Sequence, residues 1–67
     1  VSNPDTDLLK YLSKRYQEEQ KILVDDMALG KAKDHGEYKY ACGIIRGLLI
    51  ANNVLIETTE RMNDSND

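Results

Sequence analysis

The chain has 67 residues, 40% of them hydrophobic, and a formal net charge of -3 with an isoelectric point near 5.0. That length allows one domain at most, and the acidic balance gives no basic footprint for nucleic-acid phosphates. A single cysteine, Cys42, excludes an internal disulfide and fits a reducing compartment or a particle assembled in one.

A chain this short buries only about 60% of the surface that it exposes when unfolded, so it is marginal alone without a staple or a partner. The four tyrosines, with neither Trp nor Phe, offer no platform for stacked bases. The first residues are polar and hold no apolar run of signal-peptide length.

A first helix is expected over about 4–29. Asn3 suits the N-cap, Pro4 the first helical position, and Asp5 and Asp7 favour the positive end of the helix dipole. Leu8, Leu9, Leu12, Tyr16, Leu23 and Met27 form its apolar stripe, with Ile22 beside it. The polar run at 17–21 interrupts that stripe. There the packing is loose or is lined by the aliphatic stems of Glu19 and Gln20. Lys14, Arg15, Glu18, Glu19 and Lys21 read as a solvated face, with Lys14 and Glu18 at i,i+4 spacing.

The turn is expected over 30–36. Gly30 follows the last periodic residue and suits the left-handed cap, with Lys31 and Lys33 near the helix C-terminus. Asp34 and Glu37 have capping-box spacing, Asp34 as the cap and Glu37 reaching back. A short turn makes the two helices antiparallel.

The second helix is expected over about 37–62, followed by a polar tail at 63–67. Tyr38, Ala41, Ile45, Leu48, Asn52, Leu55, Thr59 and Met62 alternate steps of three and four, which is a heptad seam, and Cys42, Leu49 and Ile56 widen it. Asn52 is expected at a wetted edge of this seam. Gly43, Gly47, Ile50 and Val54 lie nearly opposite. Two glycines inside a helix each cost roughly 1 kcal/mol against alanine, and a close contact with another chain would offset that. The plainer reading has tolerated glycines beside scattered surface side chains. Arg46 beside the glycines suits a partner's carboxylate, and Tyr40 is a further candidate for partner contact. Residues 41–56 are read as too short for a membrane span, and they carry Arg46, Asn52 and Asn53.

The fold class is therefore all-α: one antiparallel two-helix hairpin that packs into a larger bundle or onto a partner. The run from Gly30 through Asp34, Glu37, Tyr38, Gly43, Ile45 and Gly47 to Leu48 resembles a pattern in small helical-hairpin proteins of tailed bacteriophages. The likeness covers residues 27–55. It consists of a polar first helix, a G-x-A-x-D turn, then E-Y and a G-x-I-x-G-L run. The aromatic and small residues that follow the turn aspartate in that pattern are His35 and Gly36 here.

The resemblance implies a virion-associated or assembly protein, built into particles in the host cytoplasm and docking in many copies on the capsid or head-to-tail connector. Its partners would be itself or phage structural proteins, with no membrane and no nucleic acid. A phage-encoded modulator of a host enzyme, or a free-standing homo-oligomeric bundle, are the competing readings. No enzyme, metal or cofactor is expected. His35 with Asp34 and Glu37 supplies capping and turn chemistry in preference to a metal site, and Cys42 lacks a histidine to activate it.

Overall fold

The computed structural model describes residues 4–65, and among them the chain is two helices and a short turn, with no strand. Helix α1 spans Pro4–Ala28 and helix α2 spans His35–Ser65. They pack side by side as an antiparallel hairpin with principal extents of 50 × 16 × 12 Å. The expected all-α hairpin is the observed fold. The expected Asn3 cap lies outside the described residues. Helix α2 begins two residues earlier and ends three later than its periodicity suggests, because neither glycine nor proline stops it after Met62.

The turn carries the chemistry expected of it. Gly30 has φ of 73°, the left-handed region that a side chain resists. Its N–H donates to the Met27 carbonyl at 3.0 Å, and the Lys31 N–H donates to the Asp26 carbonyl at 3.1 Å. That pair of bonds is a Schellman cap. The Lys31 ammonium also lies 3.1 Å from Asp26 Oδ1, tying the turn to the helix end. On the other side, the Glu37 N–H donates to Asp34 Oδ1 at 2.8 Å. Glu37 reaches back as expected, but one residue further, accepting from the Lys33 N–H at 2.6 Å. A Cβ on Gly36 would lie 3.3 Å from Asp34 Oδ1, so glycine there leaves the capping carboxylate its room.

The seam between the helices is more polar than its apolar residues suggest. Ser13 Oγ donates to Asn52 Oδ1, and Gln20 Nε2 donates to the Ile45 carbonyl at 3.5 Å. Seven residues along α1 are thus matched by seven residues back along α2. The same register sets Thr6 level with Thr59 and Met27 level with Tyr38. Thr6 and Asn52 are the two most enclosed side chains, at 4% and 6% exposure, and no hydrophobic side chain is fully buried among the described residues.

Three expectations change here. Asn52 is enclosed and hydrogen-bonded, where a wetted edge was expected. Leu8, read as part of the core stripe, is 56% exposed, and Thr6 and Ser13 take the seam instead. The strict three–four alternation in α1 runs through Thr6, Leu9, Ser13, Tyr16, Gln20, Leu23 and Met27, which puts Leu8 and Ile22 on the outer surface. Third, Glu18 pairs with Arg15, not Lys14. Arg15 holds Glu18 at 2.6 Å and Glu19 at 3.0 Å, and this raises the guanidinium pKa, chiefly through the hydrogen bond to Glu18.

Candidate functional site

A two-helix hairpin has one seam, so each helix keeps its far side open. On α2 that far side is the line Tyr40, Gly43, Gly47, Ile50 and Val54, which repeats the three–four spacing of the seam itself. Ile50 is 54% exposed and Val54 55%, and Tyr40 is more exposed still. A Cβ placed on Gly43 or Gly47 meets nothing within 4 Å, and neither glycine has a positive φ. The hairpin therefore needs neither glycine for its own packing or backbone. Arg46 stands beside this line, exposed. Of the six residues singled out as a partner face, Gly43, Arg46, Gly47, Ile50 and Val54 lie on the outer side of α2, while Tyr40 stands at its edge, sharing a groove with Leu23 and Met27 of α1.

Between Tyr40 and Ile56 only Arg46, Asn52 and Asn53 are polar. With Ile44 on one flank and Leu49 and Ile56 on the other, also exposed, α2 is apolar nearly all round over this stretch. A helix of that character is normally enclosed by other structure. By length and composition alone, α2 is also long and apolar enough to cross a membrane. The apolar middle, 41–56, is shorter than a membrane span, but the helix that holds it runs from His35 to Ser65. In the folded hairpin, however, α1 lies along α2 and carries Lys10, Lys14, Arg15, Glu18, Glu19 and Lys21, charges that are costly inside a bilayer.

The charges are unevenly distributed. All the ion pairs among the described residues join side chains of α1 and the turn: Arg15 with Glu18 and Glu19, Lys21 with Asp25, Lys31 with Asp26. Lys39, Arg46, Glu57, Glu60 and Arg61 on α2 make none. Lys39, Arg46, Asn53 and Glu60 recur every seven residues and form one polar ridge beside the apolar line, basic towards the turn and acidic towards the far end.

The reactive side chains do not converge. Cys42 is a half-buried free thiol against the seam. It raises the pKa of the neighbouring Tyr38 phenol, first through a hydrogen bond and then through the charge on the ionised thiol. His35 stacks on Tyr38, with ring centroids 6.3 Å apart. No group of three or more His, Cys, Asp or Glu among the described residues is placed to hold a metal ion. Two shallow, open grooves flank the seam, one between Lys10 and Gln17 of α1 and Ile56 and Glu60 of α2, the other beside the turn at Met27 and Tyr40. The first groove is lined by Lys10, Ser13, Lys14, Thr59 and Glu60, and there the Ser13 hydroxyl is already donated to Asn52.

No protein-family model, curated protein or solved structure matches the chain.

Proposed function

We propose that this chain is a non-catalytic assembly protein of a tailed phage. It docks in several copies through the outer face of α2, namely Tyr40, Gly43, Arg46, Gly47, Ile50 and Val54, onto other copies or onto the capsid or connector. One observation carries the docking reading. Two helix-interior glycines stand in open space beside exposed Ile50 and Val54, and the hairpin gains nothing from them. Each glycine weakens the free helix by about 1 kcal/mol relative to alanine, and a close approach by another backbone supplies a reason to keep it. The phage setting rests on the resemblance in residues 27–55.

The test separates folding from docking. Gly43→Ala and Gly47→Ala have room in the isolated hairpin and stabilise it by up to about 1 kcal/mol each. Gly43→Leu and Gly47→Leu keep the helicity, seen by circular dichroism, but fill the face and abolish incorporation into purified particles. Normal incorporation of both leucine variants contradicts the proposal. So does the absence of the unmodified protein from particles, which would favour an action on a host protein instead.

A further inference from the structure

We infer that the partner on this face is a second copy of the chain, with α2 packed antiparallel against α2 about a two-fold axis at Ile50. The inference rests on the reading of this face as a docking surface and goes further by naming its occupant and register.

The first support is area. A compact monomer of 7.6 kDa exposes about 4,300 Å². This chain exposes 5258 Å². The excess, roughly 1,000 Å², is close to the ~800 Å² that each partner gives up in a stable interface of ordinary size. A dimer of hairpins thus covers the surplus, and the two α2 helices become the centre of a four-helix arrangement with the charged α1 helices outside.

The second support is the unpaired charge on α2. Along the ridge the order is Lys39, Arg46, Asn53, Glu60, and none of the three charges has an ion-pair partner among the described residues of its own hairpin. Such a ridge complements itself only when reversed. With the axis at Ile50, Lys39 lies level with the partner's Arg61 and one residue from its Glu60, and Arg46 lies beside the partner's Asn53. A parallel two-fold pair puts the two ridges on opposite sides of the interface, where they do not meet. An antiparallel pair centred on Gly47 brings the two Arg46 side chains together at the axis. Exposed pairs of this kind add little affinity, so the ridge favours an antiparallel pair centred near Ile50 over one centred on Gly47 without itself holding the dimer together.

The apolar line agrees with that choice. In the same register the partner's Val54 lies over Gly47, filling the open space where a Cβ would meet nothing, and Ile50 packs against its own copy. Each contact occurs twice, as a two-fold interface requires.

Three measurements on the full chain test this. Sedimentation equilibrium should give twice the monomer mass. In a Cys42→Ser background, Ile50→Cys should form a disulfide-linked dimer on mild oxidation. Gly43→Cys should not, because in this register the two copies of that residue are about 20 Å apart along the helices. Lys39→Glu or Glu60→Lys alone should weaken the dimer about threefold, and the two together should restore it, with helicity unchanged throughout. A monomer at every concentration overturns the inference, whether it stays in buffer or partitions into phosphatidylcholine vesicles. A dimer that cross-links through Gly43→Cys but not Ile50→Cys overturns it as well. Either failure leaves the docking proposal to be judged separately, by incorporation of the Gly47→Leu variant into particles.

Discussion

Ser13 on α1 donates its hydroxyl hydrogen to the carboxamide oxygen of Asn52 on α2, across the centre of a seam in which Asn52 is one of the two most enclosed side chains. Gln17 in turn donates to Ser13 Oγ at 3.3 Å, so the serine bridges a short polar chain. The energetics of such a pair are asymmetric. Removing one partner strands the other, whereas replacing both by apolar groups is near neutral or favourable. Asn52→Leu alone should therefore cost about 1 kcal/mol in urea unfolding, moderated because Gln17 still reaches Ser13. Ser13→Ala with Asn52→Leu should recover most or all of that loss. A double variant as unstable as the single one would mean that the pair does more than satisfy itself.

Thr6 offers the opposite case. Its hydroxyl is buried with no hydrogen-bond partner among the described residues, and the level residue across the seam, Thr59, donates its own hydroxyl to the Leu55 carbonyl at 2.8 Å. A stranded buried hydroxyl costs on the order of 1 kcal/mol or more, and valine keeps the shape without the polar atom. Thr6→Val is expected to stabilise the hairpin by about 0.5–1 kcal/mol in the same unfolding assay. A loss of stability would show that Thr6 has a polar role in the fold.

The turn should be the most sensitive part of the fold for its size. Asp34 caps α2 through the Glu37 N–H, and its replacement by alanine frees that donor at a cost of about 1 kcal/mol. Gly30→Ala forces a side chain into the left-handed region at about 1–2 kcal/mol. In a domain of this size, each change should lower the melting temperature by about 4–8 °C per kcal/mol. A turn that tolerates both without a shift would mean that it adds little to the pairing of the helices.

How far these features can be read in the sequence depends on their range. Gly30, Asp34 and Glu37 act within a few residues of themselves, so spacing alone reveals their roles. Helix type follows from the three–four alternation for the same reason. The polar seam is harder. A search for hydrophobic residues draws Leu8 into the core and passes over Thr6, Ser13 and Gln20, although those three recur every seven residues and continue to Met27. The seven-residue rows were visible, but their partners on α2 were not. Which side chain lies opposite Asn52 depends on the inter-helix register, and the turn length must close before that is fixed. The outer line of α2 was legible because it repeats a helical period within one element. What covers it depends on a second molecule.

Tyr38 and Cys42 make one contribution to how the hairpin responds to alkaline pH. The phenol sits beside the thiol, and the hydrogen bond between them, followed by the negative charge of the ionised thiol, raises the Tyr38 pKa above its ordinary value near 10. A raised folded-state value means that the fold favours the neutral phenol. The contribution is fully present below the unfolded-state value and is lost as pH rises through the folded one. Stability should thus be flat across neutral pH with respect to this group and decline above about pH 10. In a pH series of urea unfolding, Tyr38→Phe should flatten that decline, because the phenylalanine has no proton to lose. Cys42→Ala should bring the late tyrosinate absorbance step, assigned by its absence in Tyr38→Phe, back towards the ordinary tyrosine range. Tyr38 was expected in the seam but is 48% exposed, so a step that stays late without the sulfur would point to a neighbour other than Cys42.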